Sequence, residues 1–202
     1  MISTLKNSWI KWIILTLSLT LMVGCSKPAS LSNNNTSTPS PILNDLHKEI
    51  LSNILKLAKE GKIINCEFQL KTTIINDVEK KWGKADKTDW VPVAKGMYAT
   101  YSKKNTVFGF NKGSQIFEVR SLDKDLSKIS LPMVKEFFGV PAHDVKANGQ
   151  EIIGYTAGLD YKMLFVFPEV SVSGTSQFMD HYSVLYPKGT ANNMADDPGR
   201  EW

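Results

Sequence analysis

Asp77-Val78-Glu79-Lys80-Lys81-Trp82-Gly83 returns 56 residues later as Met133-Val134-Lys135-Glu136-Phe137-Phe138-Gly139. Val78, Trp82 and Gly83 reappear as Val134, Phe138 and Gly139, and Ala85 maps onto Pro141, so the pattern Val-x-x-x-aromatic-Gly-x-Ala/Pro occurs twice at one offset. An apolar pair one turn apart, closed by glycine, reads as a short helix with a left-handed stop. Each copy is followed by segments in which aromatic and β-branched residues alternate, the period of a strand. The expected fold class is therefore α+β, made of two tandem repeats of a helix plus antiparallel strands over 72–128 and 129–187.

Within the first copy, Thr72, Thr73 or a neighbour is the expected cap, 89–95 a loop, and 97–102, 106–111 and 115–120 three strands. Asn111-Lys112-Gly113 is the tight turn of the last hairpin, with the glycine taking the positive φ. Within the second, Ser130 caps a helix whose first turn tolerates Pro132, and strands fall at 151–156, 161–167 and 181–186. The loop over 170–179, rich in Ser and Gly, is longer than its counterpart in the first copy.

Ahead of the repeats, 42–71 carries a longer helix and an entry strand. Leu43, Leu46, Ile50, Ile54 and Leu57 recur at helical spacing, with Asn44 placed to cap and Gly61 to terminate. Cys66, Phe68 and Leu70 alternate inward over 66–71. An unpaired cysteine on an apolar face is a small hydrophobe before it is a nucleophile.

Residues 1–24 read as a leader: Lys6 and Lys11 precede an apolar run over 12–23 that is short for a membrane span. The run ends Leu21-Met22-Val23-Gly24-Cys25, which resembles a bacterial lipoprotein signal and implies diacylglycerol on the Cys25 sulfur. Two or three acyl chains hold a protein to a bilayer stably where one does not. Residues 25–41, almost all Ser, Asn, Thr and Pro, have nothing to bury and read as a disordered tether. The single domain expected beyond it is 42–202, and the localisation the extracytoplasmic face of the cell membrane.

Removing Lys6 and Lys11 lowers the formal charge of +4 by two, too weak a field for nucleic acid. With Cys25 lipidated, Cys66 is left alone, which argues against a disulfide framework. His47, His143 and His181 stand in unrelated settings, so neither a metal nor any other cofactor is expected. No Gly-x-Ser-x-Gly elbow, phosphate loop or dinucleotide fingerprint occurs. Asp196-Asp197 lacks a calcium-loop framework, and Glu118 and Asp180 read as scattered acids on exposed strand faces.

In the tail, 188–202, turn formers and charges surround Met194 and Trp202, which favours docking on the domain, with Arg200 pairing to Asp196 or Asp197. Phe108 and Phe110 share one strand face. If that face is open, they join Arg200 and Trp202 as candidate partner contacts.

Ala58-Lys59-Glu60-Gly61, Asp77-Val78, Trp82-Gly83-Lys84, Phe108-Gly109-Phe110-Asn111-Lys112, Ile116-Phe117-Glu118-Val119-Arg120 and Gly139-Val140-Pro141 occur in an order that resembles the YjgB-like family of secreted and lipid-anchored Bacillus proteins. The resemblance implies no catalytic residue. The paired pattern is also similar, more distantly, to β-lactamase-inhibitor-like modules and small outer-membrane assembly lipoproteins, which implies a protein-binding scaffold. The hairpin Ser102-Lys103-Lys104-Asn105 lacks the acid an inhibitor would insert. The expected function is a non-enzymatic protein-binding or accessory module of the cell envelope. The alternative is an envelope hydrolase or small-ligand-binding protein whose site is assembled from separated residues.

Overall fold

The computed structural model describes residues 42–170, 175–194, 197, 200 and 202. The leader, the tether and Cys25 lie outside the described residues, as does part of the 170–179 loop.

Helix α1 (Asp45–Lys59) opens where Asn44 Oδ1 accepts the His47 backbone N–H at 3.0 Å. Leu51, Ile54 and Ala58 form its buried stripe, and Gly61 follows at φ 70°. Residues 66–71 form no strand, but Cys66 and Leu70 are buried and Phe68 is partly buried against the same core. The segment is pinned instead by the Leu70 N–H donating to the Gly61 carbonyl at 2.8 Å and the Lys71 N–H to the Ile116 carbonyl at 3.2 Å, and just ahead of it the Tyr182 hydroxyl accepts the Ile64 N–H at 2.8 Å.

Helix α2 (Ile75–Trp82) follows, then strands β1 (Lys87–Val91), β2 (Gly96–Tyr101), β3 (Thr106–Phe110) and β4 (Ile116–Ser121). Helix α3 (Leu131–Phe138) is followed by β5 (His143–Ala147), β6 (Gln150–Ala157), β7 (Tyr161–Pro168) and β8 (His181–Leu185). Gly83 and Gly139 end their helices at φ 87° and 80°. Val78 and Val134 are wholly buried. Trp82 packs edge-on to Tyr101 at 5.6 Å, and Phe138 lies 5.0 Å from Tyr155. The residue next to the two threonines, Ile74, is the N-cap of α2, and it makes no side-chain hydrogen bond.

Two expectations about the strands are corrected. The loop expected over 89–95 is in part strand: Lys87–Val91 is an edge strand, and so is His143–Ala147, where none was expected. Both pair on one side only, so their other side carries charge without cost. The glycine of Asn111-Lys112-Gly113 is also not the left-handed residue. Ser114 takes φ 65°, and Asn111 Oδ1 accepts the Gly113 and Gln115 N–H groups to hold the longer turn.

The strands form one antiparallel sheet of eight, ordered β1-β2-β3-β4-β8-β7-β6-β5. Its seam is β4 against β8, where Glu118 faces Leu185 and Val119 faces Val184. Helices α1, α2 and α3 all pack on one face, over Ala99, Phe108, Val119, Ile153, Phe165 and Val184. The second face is not open. It carries a smaller apolar cluster including Tyr98, Phe117, Ile152, Leu164 and Leu185, with Met194 and Trp202 of the tail packed on it. Phe117 reaches that face through a bulge: Phe110 pairs with Ile116 and Gly109 with Glu118, leaving Phe117 as the extra residue.

Candidate functional site

Phe108 is wholly buried beneath the helices, 5.7 Å from the Trp82 ring, and Phe110 is packed against the same core. They lie on the helix-covered side of the sheet and are not the exposed anchors that an open face would have made them. Arg200 and Trp202 come together on the second face, and two places there have the geometry of a site.

The first is the clamp that holds the tail. Glu118 is fully buried; it accepts Arg120 Nε at 2.8 Å and Nη2 at 3.1 Å, and the Tyr98 hydroxyl at 2.6 Å. Arg200 closes on the same carboxylate, Nε to Oε1 at 3.4 Å, and donates a second hydrogen bond to Asp197. The Arg120 guanidinium lies 4.5 Å from the Tyr98 ring centre. Burial alone would raise the Glu118 carboxyl, but Arg120 and then Arg200 outweigh it and hold it well below the usual carboxylate range. Burial, with the facing carboxylate, pushes the Tyr98 hydroxyl up, so it remains a donor. Two guanidinium groups thus balance two carboxylates. A carboxyl ionised at every ordinary pH suits a clamp; a general acid needs a pKa near its operating pH.

Beyond the clamp, Trp202 stacks on His143 with ring centres 5.7 Å apart. Lys162 donates to the Trp202 carbonyl oxygen and sits 4.1 Å from its ring centre. Gly154 makes the space: a Cβ there would come within 2.8 Å of the indole. The expected pairing of Arg200 with Asp197 is present. Asp180 does not join Glu118; it bonds His181 Nδ1 at 2.6 Å instead.

The second place is a cleft of about 640 Å³ where the β1–β2 turn, the β3–β4 turn and the segment after β8 meet. Trp90, about half exposed, lines it with Lys95, Lys112 and Lys188. Its floor is tied by Asn111 Nδ2 donating to the Gly189 carbonyl at 2.9 Å. Among the described residues, no group of His, Cys, Asp and Glu could hold a metal ion, and no helix is long and apolar enough to cross a membrane. Cys66 is buried with its thiol pushed up to about 11, chiefly by burial, which suits packing and not nucleophilic chemistry.

Sequence reasoning missed Tyr98 and Arg120 as partners of Glu118, and Trp90 as a cleft wall. One signal was present. Asn148-Gly149, with φ of 54° and 74°, is the two-residue hairpin dipeptide that announces β5 and so places His143 beside Gly154.

A helix-backed antiparallel sheet with a clamp and a cleft is an α+β scaffold. Residues 51–185 match the family profile described as Domain of unknown function (DUF4309), and the chain belongs to that family. A solved structure, the crystal structure of a DUF4309 family protein (YjgB) from Bacillus subtilis, is similar at 15% identity with a TM-score of 0.52. The match covers 69% of this chain and 97% of that one, and speaks to the fold alone. No curated protein matches.

Proposed function

We propose that the chain is an extracytoplasmic lipoprotein, held to the bilayer through diacylglycerol on Cys25, whose domain is a non-enzymatic peptide-binding or accessory module of the cell envelope. The order α2-β1-β2-β3-β4 and then α3-β5-β6-β7-β8 supports a tandem repeat in the manner of β-lactamase-inhibitor-like modules, with the two halves joined at the β4–β8 seam. The single observation that carries the binding role is the buried Glu118 carboxylate receiving Arg200 from the tail. A sheet face that holds its own chain through an arginine clamp and an aromatic slot has the chemistry to hold a partner peptide bearing the same two groups.

The test pairs the tethered full-length protein with a version ending at Gly189, each offered a peptide of the sequence 190–202. The shortened version is expected to bind the peptide at least about tenfold more tightly than the full chain does, and an Arg200→Ala peptide at least about tenfold more weakly. Crosslinking in the native envelope is expected to yield a stoichiometric protein partner. No peptide binding by the shortened, folded chain, and no partner in either form, would sink the reading.

The cleft favours a second reading, a small-ligand-binding protein, because Trp90 is presented to solvent inside a concavity whose floor is already fixed.

A further inference from the structure

We propose that the Trp90 cleft is a binding site for an anionic saccharide, with a sugar ring on the indole face and its carboxylate or phosphate on the lysines. This rests on the small-ligand reading and is independent of the peptide clamp.

Three features of the wall carry it. Trp90 is half exposed on β1, the outermost strand, so its ring is presented instead of packed. A tryptophan face is an apolar platform for the C–H side of a sugar, and stacking there orients the ring without a charge of its own. Lys112 and Lys188 supply the charge, and among the described residues no acid lines the cleft. Lys188 lies 3.3 Å from Asp160, a carboxylate it shares with Lys71 at 3.0 Å, so a ligand anion takes Lys188 over without leaving Asp160 unpaired.

The floor makes the site preformed. Asn111 uses its amide nitrogen on the Gly189 carbonyl and its amide oxygen on two N–H groups of its own turn. The two loops that carry Lys112 and Lys188 are therefore fixed relative to each other before any ligand arrives, which lowers the ordering cost of binding. Charge complementarity selects the class. A neutral glycan would satisfy the indole but not the ammonium groups, and a flexible polyanion would do the reverse.

The test titrates the full chain, purified in detergent, with a uronic acid tetramer, a phosphomannan fragment, a neutral cellotetraose and a ring-free glycerol phosphate oligomer, the binding followed by titration calorimetry. One or both sugar anions are expected to bind at least about tenfold more tightly than either control, and the better of the two identifies the anion. Raising salt to about 0.5 M should weaken that binding several-fold by screening. Trp90→Ala and the pair Lys112→Gln/Lys188→Gln should each lose at least about tenfold, while Trp90→Phe, which keeps an aromatic face, retains most of it. Unchanged circular dichroism shows that each variant is folded. Equal binding of cellotetraose overturns the charge argument. Equal binding of the glycerol phosphate oligomer with no loss in Trp90→Ala overturns the stacking argument. No binding of either sugar anion overturns the proposal while leaving the peptide experiment untouched.

Discussion

Replacing Glu118 by Gln keeps the shape of the clamp and removes its centre of charge. In the folded protein the carboxylate is inaccessible and serves two guanidinium groups, Arg120 at 2.8 Å and Arg200 at 3.4 Å. Without it, two like charges share a buried site with Asp197 as the remaining counter-charge, and the Tyr98 hydroxyl faces a neutral amide. Breaking a buried pair by removing one partner costs about 3–5 kcal/mol. That is a large part of the roughly 5–15 kcal/mol that holds a domain folded. Arg200→Met leaves Glu118 both bonds from Arg120 but takes a partner from Glu118 and from the buried Asp197; each lost hydrogen bond to a charged group costs about 1.5–3 kcal/mol, so its loss approaches that of Glu118→Gln. Urea unfolding followed by fluorescence and circular dichroism measures both. The Glu118 pKa is lowered on folding, so its contribution is full above the unfolded value of about 4.3 and is lost as pH falls through the folded one. The gap between the native chain and Glu118→Gln is therefore constant from neutral pH down to about 5 and narrows below about 4. A loss under about 1 kcal/mol for Glu118→Gln would refute the picture of Glu118 as the hub.

Gly154→Ala should push Trp202 off the sheet, because the new methyl would meet the indole at 2.8 Å and the His143 Cβ at 3.1 Å. The expected cost is about 1–3 kcal/mol, read together with faster proteolysis of the tail; an unchanged proteolysis rate would show that the slot is not needed. Phe108→Ala should cost about 3–5 kcal/mol in a denaturant melt, since the ring is fully buried under the helices, whereas a surface residue would cost almost nothing. Cys66, buried and with its thiol raised to about 11, should react with a thiol reagent at pH 8 at the rate at which the fold opens. Rapid labelling of the native chain would contradict its burial.

The helices and the interior strands were legible because their residues face one way: Val78 and Val134 inward, Asn44 at a cap, Gly83 and Gly139 at stops. The edge strands were hidden because Lys87, Asp89, Asp144 and Lys146 sit where only one side of a strand needs a partner. A single sheet was also beyond the pattern, since periodicity says which face a residue takes and not which strand lies beside it. The seam depends on β4 meeting β8, two strands separated by the whole second half of the chain. The candidate site was half legible. Arg200 and Trp202 are odd enough in a polar tail to announce docking, but Glu118 looks in sequence like any exposed acid until its three partners surround it. Trp90 is bound to its lysines only by loops that meet in space.

The bulge at Phe117 gives β4 an unusual tolerance to changes in length. Deleting a residue from a regular strand reverses the facing of everything beyond it. Here Phe110 already pairs with Ile116 and Gly109 with Glu118, so losing Phe117 would leave the alternation on either side intact. Its ring lies over Gly96 and Gly109 and its Cβ abuts Gly189, positions where added methyls would stand 2.7, 3.1 and 3.0 Å from it. Phe117 and Gly96 thus form a unit that must change together: a codon lost at 117 would leave a Cβ at Gly96 facing only the Phe110 carbonyl oxygen at 3.2 Å, whereas Gly109 and Gly189 would still be kept small by Tyr98 and Tyr186, each at 2.9 Å.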